Sequence, residues 1–202
     1  MLRRRDFVQC MAVTSGLVAL GRSSLPAAAA RAMAAVRLHT VICDRRFDAS
    51  RAFGAAAERL GFSTHAMDGD ITALWADHLA ERWRNAPAAI AGLTAHGPLF
   101  CLERFGWDHH LRVVFRAEHR GRCDGTIEHR FWGPTKMLSW VARHVAALGS
   151  GYGSCMAGMV GACPPAQGTT ELALTLVAPG DGGDATEVEP LYSWVIAPRA
   201  QS

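Results

Sequence analysis

Short apolar runs alternate along the chain with stretches in which apolar residues recur at helical spacing. Leu38-His-Thr-Val-Ile-Cys43 is rich in β-formers, ends at Asp44 and predicts a buried strand. In residues 48–60, Ala52, Phe53, Ala56 and Leu60 stand at helical spacing, a stripe that Gly61 stops. Phe62 to Met67 predicts a second strand, and Asp68-Gly69-Asp70 a turn in which Asp70 caps the next helix. That helix carries Leu74, Trp75, Leu79 and Trp83 and stops before Pro87. Residues 88–94 form a third apolar run. Gly97-Pro98 opens a third helix reaching Trp107, and Leu111 to Arg116 is a fourth strand. Arg116 to Arg130 reads as a polar loop. Lys136 to Leu148 has one apolar stripe, and residues 149–161 are a glycine-rich loop or small-residue turn. Two strands follow, 171–177 and 191–196, around an acidic glycine-rich loop.

Strands and helices alternating at this pace indicate βαβ units. The expected fold is a single α/β domain over residues 35–202. Its sheet is mainly parallel with flanking helices, in a flavodoxin-like or Rossmann-like three-layer architecture. Half the residues are hydrophobic and 19% charged, a globular balance. The net charge of +3 is concentrated at the start, where residues 1–34 hold five Arg against Asp6. The remainder has 16 basic and 17 acidic residues, which gives no support to nucleic-acid binding.

The same first 34 residues show a charged start, an apolar run from Met11 to Leu20, and the small-residue stretch Ala27-Ala-Ala-Ala-Arg-Ala-Met-Ala34. That order is the order of an export signal, and the run is too short for a permanent membrane anchor. Arg4-Arg5-Asp6-Phe7 before a mildly apolar run resembles the twin-arginine signal. The resemblance implies passage through the twin-arginine translocase, a periplasmic or secreted location, and export of a folded protein. Such proteins often carry a cofactor or a co-exported partner, and neither is named by these residues.

In parallel sheets, ligands bind beyond the carboxyl ends of the strands. This rule gathers Asp44, Asp70, Thr94, His96, Gly97 and His119 at one edge. Within 94–103 a strand end passes through Gly97-Pro98 into a helix start, where backbone N–H groups can hold an anion. Cys101 stands about one turn in, where a thiol can become a nucleophile. The catalytic candidates are therefore His96, Cys101, Asp44 and Asp70. Thr94, Gly97, Glu103, His119 and Trp132 are the ligand-binding candidates, Trp132 because it is an aromatic in a polar segment. No H-E-x-x-H, H-x-x-E-H or C-x-x-C occurs, so a metal would need spatial assembly of His96, His119 and a carboxylate. Cys155 and Cys163 flank the glycine segment and are the natural disulfide pair; Cys43 and Cys101 are a second option. The expected function is an accessory or small-polar-ligand-binding protein of an exported system. The alternative is a small hydrolase or isomerase using His96 with Cys101 or an Asp.

Overall fold

The computed structural model describes residues 35–135, 137, 138, 141, 151–164, 171–179 and 189–198. The leader, and most of the segments 136–150 and 179–190, lie outside the described residues. Seven strands form one mixed sheet in the order β2-β1-β3-β7-β4-β5-β6. They are β1 (Leu38–Asp44), β2 (Thr64–Met67), β3 (Ala89–Thr94), β4 (Leu111–Gly121), β5 (Thr126–Pro134), β6 (Glu171–Pro179) and β7 (Leu191–Pro198). The chain is an α/β fold with helices on the sheet. These are α1 (Asp48–Arg59), α2 over residues 72–85, α3 (His96–Asp108) and α4 (Tyr152–Gly161).

The sheet is not mainly parallel. β1 pairs in parallel with β2 and β3, while the other four pairings are antiparallel. β4 does run in the direction of β1 to β3, as the alternating pattern requires. It does not neighbour β3, however, because β7 inserts between them, antiparallel to both.

The second departure is residues 116–130, which form strands and not a loop. β4 continues to Gly121 and returns as β5, with Arg116↔Trp132, Glu118↔Arg130 and His119↔His129 as cross-strand partners. The turn is built on Asp124-Gly125: Gly125 takes φ 75°, and the Asp124 carboxylate accepts the Thr126 N–H at 3.0 Å. Polar residues persist because one face carries Arg–Glu pairs, such as Arg120–Glu118 at 2.7 Å and Arg130–Glu128 at 2.8 Å. The other face buries histidines.

Two apolar cores result, one on each side of the sheet. Phe53, Ala56 and Ala57 of α1 pack with Met156, Ala157 and Val160 of α4 against Val41, Leu93, Phe115, Phe131 and Val195. On the opposite side Leu74, Leu79 and Trp83 of α2 and Leu99 and Leu102 of α3 cover Ile42, Ile90, Trp194 and Ile196. α2 includes a π-helical turn at Trp75–Leu79, and Trp75 there stacks on Phe105 of α3 at 4.3 Å. Among the described residues no helix is long and apolar enough to cross a membrane.

The glycine segment is helical from Tyr152 to Gly161, and glycine lets it approach α1. A Cβ at Gly153 would lie 2.1 Å from the Ala49 carbonyl oxygen. This helix also removes the expected disulfide. Cys155 lies within α4 and Cys163 two residues past its end. Eight residues at 1.5 Å each set them about 12 Å apart along the axis, where a disulfide needs Cα atoms within about 7 Å. The Cys163 thiol instead points at the Pro164 carbonyl, 3.6 Å away, and burial pushes its pKa up to about 12. Cys43 and Cys101 belong to cores on opposite faces of the sheet. No disulfide joins the described cysteines.

Candidate functional site

α1, α3 and α4 all begin at the carboxyl edge of β1 and β3. α1 and α3 follow those strands directly, and α4 runs beside α1 with Gly153 at Ala49 and Gly161 at Phe62. Side chains at this edge divide between the two faces of the sheet, and the division decides which of them can act together.

Several expected residues are fully engaged in holding the edge. Asp44 is buried and binds Arg46 through both oxygens, at 2.9 and 2.7 Å. Its backbone N–H donates to Ser50 Oγ at 2.7 Å, and the Ser50 hydroxyl donates to the Leu93 carbonyl. Asp70 is exposed and accepts from the N–H and hydroxyl of Thr72, at 2.8 and 2.7 Å, which holds its carboxyl below the usual range. Buried Thr94 donates to the Ala95 carbonyl at 2.9 Å and accepts from Trp194 Nε1 at 3.1 Å. These three shape the turns after β1, β2 and β3.

His96 and Cys101 do not form a dyad. Both lie on α3, five residues apart, so their side chains leave the helix about 140° apart. His96 is exposed at the first position of α3 and packs edge-on to Tyr192, ring centroids 5.4 Å apart. Cys101 is half-buried against the α2–α3 core. Gly97 is exposed beside His96. A metal shared by His96 and His119 is also excluded, because His96 stands on the α3 side of the sheet and His119 on the α4 side. Among the described residues no three His, Cys, Asp or Glu side chains converge as a metal site.

Two arrangements remain. The first is on the α3 side, where strand register sets the side chains in rows. Trp194, Arg116 and Trp132 face one another across β7, β4 and β5, and Tyr192, Glu118 and Arg130 form the adjacent row. Arg116 is bridged to Glu103 of α3 at 2.6 Å, while its Nε–H is buried without an acceptor. Burial and the Glu118 carboxylate push the Tyr192 phenol pKa up, so it stays a neutral donor. The expected ligand residues His96, Glu103 and Trp132 thus meet one surface, together with Arg116 and Tyr192, which carried no motif.

The second arrangement is on the α4 side. His119 Nδ1 lies 2.7 Å from His129 Nδ1, and His119 Nε2 lies 2.9 Å from Ser193 Oγ. All three are enclosed, Ser193 and His129 at 0% and His119 at 3% exposure. The Tyr152 ring covers His119 at 4.5 Å and His129 at 5.2 Å. Burial drives both imidazoles toward the neutral form, His129 to about 4 and His119 well below its ordinary value. His119 was expected as a ligand contact at a strand end. His129 and Ser193 escape sequence reading because they are paired only by β4–β5 and β4–β7 register.

Comparison with family models, with curated proteins and with solved structures finds no match to the chain. The chemistry of the two arrangements therefore rests on their geometry.

Proposed function

We propose that the protein is an exported small-ligand-binding protein whose site is the α3 side of β7, β4 and β5. The observation that carries this reading is Arg116, whose side chain is 31% exposed, stands in one cross-strand row with Trp194 and Trp132 and is bridged to Glu103 at 2.6 Å. Arg116 and Arg130 offer donors, Glu103 and Glu118 offer acceptors, and Trp132 offers an apolar plate. Charges of both signs within one small surface suit a zwitterionic ligand such as a free amino acid. The parallel order β2-β1-β3 resembles the first half of a flavodoxin-like three-layer fold, in which ligands gather at this same edge.

Titrating a panel of free amino acids and small dicarboxylates while following tryptophan fluorescence tests the reading. At least one is expected to bind, and Arg116→Gln and Trp132→Ala should each weaken it about tenfold or more, equivalent to about 1.4 kcal/mol. A silent panel, or affinity unchanged in both variants, refutes it.

Export by the twin-arginine route belongs to the same proposal and rests on Arg4-Arg5-Asp6-Phe7. Replacing Arg4 and Arg5 with Lys is expected to hold the unprocessed chain in the cytoplasm, as fractionation and immunoblotting would show. Normal processing of that variant in cells without the twin-arginine translocase would overturn it.

A further inference from the structure

The buried histidine pair on the α4 side plays no part in the ligand surface across the sheet, yet it is ordered as a directional chain. Two senses are open to it, and they differ in which buried donor is left over, the Ser193 hydroxyl or the His129 Nε2–H. Two neutral imidazoles sharing Nδ1 atoms need one N–H between them. If His129 supplied it, His119 Nε2 would carry a proton toward Ser193 and the buried serine hydroxyl would have to find another acceptor. Among the described residues, Ser193 Oγ meets His119 Nε2 at 2.9 Å. With the opposite sense Ser193 O–H donates to His119 Nε2 and His119 Nδ1–H donates to His129 Nδ1, which places the His129 proton on Nε2. His129 Nε2 is the one ring atom left buried without a partner. The serine hydroxyl thus faces the basic nitrogen of an imidazole whose other nitrogen is held by a third side chain, the arrangement that activates a nucleophilic serine.

We propose that Ser193 is an acyl-transfer nucleophile, with His119 its general base and His129 the residue that positions His119, acting on an ester or thioester of a small acyl group. The Ser193 oxygen bonds to the acyl carbon as its proton passes to His119 Nε2, and His129 Nδ1 accepts a hydrogen bond from the imidazolium. The bond from carbon to the leaving alcohol or thiol then breaks, and the leaving group takes that proton. Water attacks the acyl-serine, passes a proton through His119 Nε2 back to Ser193, and releases the carboxylic acid. The net reaction is ester plus water giving acid plus alcohol, with no redox partner.

Two further features agree with this step. α4 is ten residues long and starts at Tyr152, against the His119 ring, and Gly151 gives it no side-chain cap. The positive end of this helix thus lies on the same side of the sheet as the relay, and such an end favours a developing oxyanion. All three side chains are enclosed, which shields the relay from bulk water. This proposal stands apart from the ligand surface, since no residue is shared between the two faces.

The test is covalent labelling of the folded full chain with a small fluorophosphonate, read by intact mass and peptide mapping. One adduct is expected, on Ser193, absent from Ser193→Ala and from wild-type protein unfolded in urea. His119→Gln, checked for folding by circular dichroism, should label about 100-fold more slowly or worse. His129→Asn keeps an acceptor for His119 Nδ1–H and should label within about tenfold of wild type, whereas His129→Leu should fall with His119→Gln. That rescue separates positioning from packing. No Ser193 adduct on folded protein, equal labelling when unfolded, or full-rate labelling of folded His119→Gln overturns the nucleophile. Labelling of folded His129→Leu at the rate of His129→Asn overturns the role of His129.

Discussion

Gly153→Ala is expected to destabilise the protein by about 2–3 kcal/mol, although alanine is the better helix former. The added methyl would meet the Ala49 carbonyl oxygen at 2.1 Å and its carbon at 2.9 Å. Both are backbone atoms in the first turn of α1 and cannot rotate away, so the helices must separate. Overpacking of this kind costs about 1–3 kcal/mol and here also opens the core of Phe53, Ala57 and Met156. The propensity gain of about 1 kcal/mol is too small to offset it. Gly158, in the same helix, has nothing within 4 Å of its would-be Cβ. Gly158→Ala should therefore stabilise by up to about 1 kcal/mol. Urea unfolding of the two variants checks both signs, and equal midpoints would show that α4 does not pack on α1 this closely.

Stability is expected to fall by about 3 kcal/mol or more as pH drops from 6.5 to 4. His129 titrates at about 4 when folded against an ordinary value of 6.5, and the His119 value is also depressed. Between those values the unfolded chain binds protons that the native state refuses, so acid favours unfolding. The stabilisation is complete above pH 6.5 and is lost as pH falls toward the folded value. For His129 alone the shift corresponds to about 3 kcal/mol. Partly buried His39 and His65 act in the same direction. Asp68, Asp124 and Glu128, held low by partners, contribute only at more acid pH. Urea midpoints measured between pH 4 and 8 test this, with the His119→Gln/His129→Asn double variant as the control that should flatten the curve. A flat wild-type curve would mean that the pair is hydrated and not enclosed.

Local pattern carries the first half of the chain well. β1, α1, β3 and α3 stand within a residue or two of their expected bounds, because each has its own apolar periodicity and its own stop, as with Gly61 after α1. The region after Phe115 is harder to read for a physical reason. In Ala117, His119, His129 and Phe131 the inward face alternates apolar residues with buried imidazoles, so the period-two signal is diluted where chemistry is densest. Asp124-Gly125 was the remaining local mark of the hairpin. α4 is obscured in another way, since its glycines, of which Gly153 serves contact with α1, make a helix look like a loop. At the edge, the acids that the rule of strand ends gathered are braces. Asp44 holds Arg46, and Asp70 holds Thr72. The contact of His119 with Ser193 required the register of β4 with β7, which joins residues 74 positions apart.

The position of β7 governs how this molecule can come into being. It is the last of the seven described strands, yet it lies at the middle of the sheet, hydrogen-bonded to β3 on one side and β4 on the other. Until residues 191–198 have left the ribosome, β2-β1-β3 and β4-β5-β6 are separate half-sheets with no strand between them. Each presents an unpaired inner edge along β3 or β4, the kind of edge that recruits other chains. The nascent protein therefore cannot close its sheet vectorially, and its assembly awaits emergence of residues 191–198. A premature stop before Leu191 would leave two mutually exposed edges instead of a slightly shortened domain, and aggregation is the physical outcome to which such a product is committed.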